Sequence, residues 1–229
     1  METWKLVNPP PNTILITNKW VYIKKWDKLG KLIKYKAQLV GKGFAQYPGY
    51  DYVETFSPVI CMETICAVLA LMVKNRYQIQ QMDIKGAYLN GILKEKVYMK
   101  QPEGYNDGTR WVCELIKMLY GLKQSGCEWN HKLDSKLKNF SYTRLYSGPC
   151  AYIQCDGDNT SIITVWVDDL LLFTSGDDLT QKMKERIKAS WDVMRTKENY
   201  WHWNLSCWKH CYNFPTMLHW INPQTRKFE

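Results

Sequence analysis

The chain has eight cysteines (61, 66, 113, 127, 150, 155, 207 and 211) and no CxxC pair among them. Met1-Glu2-Thr3-Trp4-Lys5 carries no secretion pattern, so the thiols are expected to be reduced. The longest apolar run, around Cys66 to Val73, falls far short of the ~20 residues a membrane-spanning helix needs. No segment repeats. Gly41-Lys42-Gly43-Phe44 lacks GxxxxGK[ST] spacing, which excludes a phosphate loop of that kind. Acidic residues are in the minority, 22 against 31 Lys and Arg, for a formal net charge of +9. This balance favours a polyanionic partner, nucleic acid before an anionic membrane surface. Hydrophobic residues make up 45% and charged residues 23%, which is a folding composition and not a disordered one. At 229 residues, the chain is long enough for one large domain or two small ones.

What is present centres on Ile162 to Phe173, two apolar strand-like runs flanking Asp168-Asp169. The spacing predicts a tight hairpin with both aspartates at its turn. Hairpin turns favour Asn-Gly or Asp-Gly, which tolerate positive φ, so two aspartates are a poor choice for turn chemistry alone. Like charges beside buried strands are costly unless a cation faces them, and a divalent metal is the simplest one. A solvated turn is the other reading.

The chain order gives further expectations. Residues 1–30 hold a Pro-rich extended piece (Pro9, Pro10, Pro11). Lys19–Lys24 and Ile33–Val40 read as strands of a hairpin around Asp27-Lys28-Leu29-Gly30. Its dense lysines form either a solvated face or a basic, phosphate-facing ribbon. Thr64–Lys74 has helical periodicity, with Ile65, Val68, Leu69 and Met72 on one face. Tyr77–Met82 reads as a strand ending at Asp83. Val97–Met99 and Glu114–Met118 read as short strands, Trp129–Leu137 as a helix, and Tyr152–Gln154 and Ile162–Val167 as strands. Leu179–Ser190 is a helix with Asp177 or Asp178 as N-cap. Past Arg195 come four tryptophans (201, 203, 208 and 220) and three histidines (202, 210 and 219), with no period. Cys207, His210 and Cys211 cluster there, but their spacing fits no standard zinc pattern.

Asp83 supplies a third carboxylate. One Asp at a strand end and an Asp pair in a hairpin can converge on two divalent ions, the arrangement that drives in-line phosphoryl displacement. On a basic chain this points to nucleotidyl transfer; the plainer reading is that Asp83 caps the next segment.

Four ordered blocks sharpen the point. They are Tyr35-Lys36-Ala37-Gln38-Leu39-Val40-Gly41-Lys42-Gly43-Phe44 with Asp51-Tyr52 and Glu54-Thr55-Phe56-Ser57-Pro58-Val59; then Gln81-Met82-Asp83-Ile84-Lys85-Gly86-Ala87-Tyr88-Leu89-Asn90-Gly91. Next come Val97-Tyr98-Met99-Lys100-Gln101-Pro102-Glu103-Gly104-Tyr105 with Leu119-Tyr120-Gly121-Leu122-Lys123-Gln124, and last Trp166-Val167-Asp168-Asp169. Residues 4 to about 194 thereby resemble the reverse transcriptase domain of copia-type LTR retrotransposons.

The resemblance implies an α+β, right-hand polymerase with fingers (1–78) and palm (79–194) and without a thumb. It implies Asp83, Asp168 and Asp169 as catalytic metal ligands, with the Ile84 carbonyl able to complete one shell. Two Mg²⁺ ions are the implied cofactor. Tyr88 matches the aromatic that blocks a ribose 2′-hydroxyl, its alternative being a core tyrosine. Gly121 and Lys123 match a template-and-nucleotide loop, where glycine permits close backbone approach. Lys36 and Lys42 match triphosphate or template contacts. The implied partners are an RNA or DNA template-primer and dNTPs, with integrase and RNase H in the parent polyprotein and no membrane. The sequence itself leaves the compartment open; the resemblance implies an intracellular one, a cytoplasmic particle or the nucleus. A non-catalytic nucleic-acid-binding remnant is the alternative.

The departures from the family share a chemistry. Arg is usual where Gln38, Cys66 and Cys127 stand, and basic residues are common at Trp26, Gln154 and Cys155. CpG deamination of Arg codons yields Cys, Trp or Gln. Trp166 replaces a usual Tyr and does not follow this route. Synonymous codons for Arg195 to Asn204, shifted by one base, read Glu-Pro-Lys-Lys-Ile-Ile-Gly-Ile-Gly-Ile, the family pattern. The expectation is a degenerate copy with a frameshift near residue 194 and a poorly packed tail over 195–229.

Overall fold

The computed structural model describes residues 2–27 and 29–197. In chain order the strands are β1 (Trp4–Val7), β2 (Leu15–Ile16), β3 (Asn18–Trp26), β4 (Leu32–Gly41), β5 (Gln78–Ile84) and β6 (Tyr98–Met99). They continue as β7 (Val112–Leu115), β8 (Thr143–Arg144), β9 (Ala151–Asp156), β10 (Asn159–Trp166), β11 (Asp169–Thr174) and β12 (Val193–Lys197). The helices are α1 (Met62–Asn75), α2 (Ser125–Asn139) and α3 (Asp177–Ser190). The expected Cys207, His210 and Cys211 cluster and the tail beyond Lys197 lie outside the described residues.

The mixed helix-and-strand architecture rests on a six-stranded sheet, ordered β12-β5-β11-β10-β9-β8, in which every neighbouring pair is antiparallel. β10 is buried on both faces from Ser161 to Val165, whereas β11 alternates at its start, with Leu170 and Leu172 buried and Asp169 and Leu171 only partly so. Ile163, Val165, Leu170, Leu172, Met82 and Ile84 pack with Leu133 and Leu137 of α2 and with Met183 and Ile187 of α3. On the other face, Ile162 and Phe173 meet Val68 and Met72 of α1. The i, i+3, i+7 spacing of Ile65, Val68 and Met72 supplies the buried stripe of that helix.

β1 and β2 share a four-stranded sheet with β6 and β7, ordered β1-β7-β6-β2, in which only β2 and β6 run parallel. Segments 1–78 and 79–194 therefore interdigitate: the first completes this sheet and also covers the larger one through α1. β3 and β4 form a separate two-stranded ribbon, paired from Asn18–Gly41 out to Trp26–Leu32.

Several boundaries differ from the sequence reading. α2 begins at Ser125, because the Ser125 hydroxyl donates to the Leu119 carbonyl at 2.7 Å and fixes the first turn. Gly176 is the N-cap of α3 in place of Asp177 or Asp178. Those two acids occupy the first turn, where the helix dipole favours negative charge. Asp83 lies inside β5, one residue before its end. The backbone of β12 pairs with Gln81–Ile84, so residues 195–197 already belong to the sheet.

Candidate active site

The hairpin turn is Val167-Asp168, and Asp169 opens β11 opposite Trp166. This corrects the expectation that both aspartates form the turn. The physical reason is register: alternation puts Leu170 and Leu172 in the core, so Asp169 must face the other way. That face is shared with Asp83, the direct cross-strand partner of Asp169. Such partners bring side chains within reach, with Cβ atoms typically ~4.5–5.5 Å apart. Asp168 joins them from the turn, where its carbonyl accepts the Ile84 N–H at 2.8 Å.

Val167 has φ +53°, a backbone state that β-branched residues rarely adopt. A positive φ at the first of two central residues is the signature of a type II′ hairpin. Holding valine there costs on the order of 1–3 kcal/mol and requires support from outside the turn. Trp129 of α2 provides it: its indole N–H donates to the Val167 carbonyl at 2.8 Å. The Trp129 ring in turn packs edge-on against Trp191, with centroids 5.9 Å apart.

Each aspartate of the hairpin is oriented by a neighbour. The Tyr120 hydroxyl donates to Asp168 Oδ2 at 2.8 Å, and Gln81 Nε2 donates to Asp169 Oδ1 at 3.1 Å. The other Asp168 oxygen, Oδ1, is buried and has no hydrogen-bond partner among the described residues. Burial raises the Asp168 carboxyl above the usual carboxylate range. The Tyr120 hydrogen bond opposes that shift, while the nearby Asp83 and Asp169 add to it and Lys36 opposes it. Burial and the Asp168 charge also push the Tyr120 and Tyr88 hydroxyls up.

The other sequence-predicted residues fall in two groups. Tyr88 is at the site: half-buried on a short 3₁₀ turn (Ala87–Asn90), with its ring 4.7 Å from that of Tyr120. It also lines a cavity of about 140 Å³ with Ser57, Trp129, Val165 and Trp166. Lys36, on β4, is near enough for its charge to act on Asp168. Gly121 packs against β4. At φ +90°, it crosses so close to β4 that an added Cβ would lie 2.1 Å from the Gly41 carbonyl oxygen. Gly41 N–H donates to the Tyr120 carbonyl at 2.8 Å and Gly43 N–H to that of Gly121 at 3.1 Å. The backbone that approaches Gly121 is therefore the chain's own. Lys123 sits beside this crossing, with its N–H donated to Gln46 Oε1 at 2.8 Å, and Lys42 donates its N–H to the Thr17 carbonyl.

The blocks, their order and this geometry converge with the comparisons. Residues 1–200 match the family described as "Reverse transcriptase (RNA-dependent DNA polymerase)". The chain belongs to the reverse transcriptase family of copia-type retrotransposons. It is 41% identical over 194 residues to the retrovirus-related Pol polyprotein from transposon TNT 1-94 of Nicotiana tabacum, covering 83% of this chain. It is 36% identical over 221 residues to that from transposon RE1 of Arabidopsis thaliana, covering 95%. The chain spans 15% of the length of each of these relatives. Among solved structures, apo telomerase from Candida tropicalis aligns at TM-score 0.44 and 12% identity, over 87% of this chain and 53% of that one.

Sequence reasoning missed three supporting residues. Tyr120 and Gln81 stood inside recognised blocks with no role assigned, and Trp129 was read only as a helix residue. Gln81 had a usable signal, since it lies two residues before Asp83 and must share its face. Trp129 had none, because its partner is a carbonyl 38 residues away.

Proposed function

We propose that Asp83, Asp168 and Asp169 form the two-metal centre of an RNA-directed DNA polymerase domain, built as fingers and palm. The observation that carries this reading is the cross-strand pairing of Asp83 with Asp169, beside a buried, partnerless oxygen on Asp168. Three carboxylates crowded into a partly buried site, one of them driven toward its neutral form, suit a hard divalent cation. Asp83, Asp168 and Asp169 would hold two Mg²⁺ ions, which when bound activate a primer 3′-hydroxyl and stabilise the departing pyrophosphate.

The chain's own residues supply the rest. Tyr120 and Gln81 fix the orientation of the carboxylates. Trp129 holds the strained turn in place. Tyr88 stands where a sugar edge would pass and excludes a 2′-hydroxyl. Lys36 brings positive charge from β4 toward the triphosphate side of the carboxylates. The β3–β4 ribbon, with Lys19, Lys24, Lys25 and Lys34 among exposed Tyr22, Trp26 and Tyr35, suits a template strand. Within a polyprotein the domain would work beside integrase and RNase H, on dNTPs and a template-primer.

We further propose that this copy is impaired. Gln38 is two residues from Lys36 on the same face of β4, and a neutral amide there cannot supply the charged, bidentate contact of Arg. The frameshift near residue 194 belongs to the same proposal, and the gene's nucleotide sequence tests it. The activity test is primer extension on an RNA template with Mg²⁺. Gln38→Arg is expected to raise incorporation above that of the unaltered chain, and Asp168→Asn in that background to remove it. Incorporation that survives Asp168→Asn would contradict the assignment.

A further inference from the structure

A second set of ligating side chains gathers at the start of α2, away from the aspartates. Cys127 and His131 stand four residues apart and so share one face of the helix. Glu54 reaches them from the loop between β4 and α1. One ligand atom from each lies within 4.8 Å of the others. Cys127 Sγ is 3.9 Å from His131 Nε2 and 4.0 Å from Nδ1. Tetrahedral zinc, with bonds of ~2.3 Å to sulfur and ~2.0–2.1 Å to nitrogen, holds such atoms roughly 3.5 Å apart. Closing the sulfur–nitrogen gap takes a few tenths of an ångström, and the exposed Glu54 carboxylate has the freedom to close in from within 4.8 Å. Cys127 is buried, whereas Glu54 and His131 are exposed.

Glu54 is not on a free arm. Before it, the Asp51 carbonyl accepts from Gln124 Nε2 at 2.9 Å. After it, the Pro58 carbonyl accepts from the Cys150 thiol at 3.2 Å, and Ser57 packs against Gly126. Both flanks of Glu54 are thus latched next to α2. Lys94, the cation nearby on this side of α2, is paired with Glu128 at 2.7 Å.

We propose that Glu54, Cys127 and His131 bind one zinc-class divalent ion through carboxylate, thiolate and imidazole, with water completing a tetrahedron. Binding forms the sulfur–metal bond and releases the Cys127 proton to solvent. This mixed set selects a borderline-soft ion and discriminates against Mg²⁺, so the two centres sort cations by ligand type. The ion would staple the loop around Glu54 to α2, the helix that carries Trp129. The site shares no residue with the three aspartates, and it stands independently of the polymerase reading.

The test is Co²⁺ titration of the full chain carrying Cys207→Ser, His210→Ala and Cys211→Ser, which removes the other thiol–imidazole cluster. One equivalent of Co²⁺ should give a thiolate-to-cobalt charge-transfer band and tetrahedral visible bands, chased by Zn²⁺ and not by millimolar Mg²⁺. Cys127→Ser should abolish the charge-transfer band. His131→Ala, at an exposed position that the fold tolerates, should weaken binding by on the order of tenfold or more. The proposal is overturned if no thiolate band forms, if it survives Cys127→Ser, or if His131→Ala and Glu54→Gln both leave the affinity unchanged.

Discussion

The Tyr120 hydroxyl donates to Asp168 Oδ2 at 2.8 Å, so a residue of the loop after β7 steers a carboxylate on the hairpin between β10 and β11. A hydrogen bond to the charged form favours that form, against the burial that disfavours it. Tyr120→Phe should therefore push the Asp168 carboxyl further up. The midpoint for Mn²⁺ binding should move to higher pH, and the protein should lose about 1–3 kcal/mol near neutral pH. Paired pH titrations and urea melts of the two proteins check this, and superimposable titrations would count against it.

Asp168→Asn separates stability from function. The raised carboxyl means that the folded state holds its proton at a pH where the unfolded chain has lost it. Stability therefore falls as pH rises from the ordinary Asp value through the raised one, and stays lower above it. Removing the charge should stabilise the metal-free protein at neutral pH, with the advantage shrinking as pH is lowered toward 4. Melting temperatures from pH 4 to 8 test this. A variant that melts below the unaltered chain at pH 7 would show that its carboxylate is not penalised.

Gly121→Ala distinguishes internal packing from a template contact. The added Cβ would meet the Gly41 carbonyl oxygen at 2.1 Å, and at φ +90° alanine is strained whatever the space. The expected result is a large loss of stability, above about 3 kcal/mol, seen as low soluble yield or a collapsed melting transition. A variant that melts normally and loses only nucleic-acid binding would reassign Gly121 to the template.

Tyr88→Val addresses the sugar. Its ring lies 4.7 Å from that of Tyr120, which binds Asp168. In the Gln38→Arg background, the smaller side chain should raise ribonucleotide incorporation relative to deoxynucleotide incorporation by about tenfold or more. Single-nucleotide extension with matched rNTP and dNTP pairs reads the ratio. An unchanged ratio would make Tyr88 a core residue.

The elements and the carboxylates were legible in the sequence because their signals are local. Apolar periodicity located α1 and the strand pairs, and the order of four blocks tied Asp83 to Asp168-Asp169. The turn register was not legible. A one-residue shift changes nothing in the run from Ile162 to Phe173, and only the pairing of Asp169 with Asp83 and Trp166 resolves it. The supports at Tyr120 and Trp129 depend on a side chain reaching a carboxylate 48 residues away and another reaching a backbone carbonyl 38 residues away, which no local pattern encodes. Gly121 was read for the right property, close backbone approach, but the backbone it admits is that of Gly41.

The central claim is that Asp83, Asp168 and Asp169 act together on divalent cations, and Mn²⁺ binding tests it without requiring catalysis. Loss of the free-ion EPR signal should be followed in a Cys127→Ser background, which silences the thiolate site. The expected result is binding that competes with Mg²⁺ and is lost in both Asp83→Asn and Asp168→Asn. Mn²⁺ binding that is the same with and without those two carboxylates would contradict it.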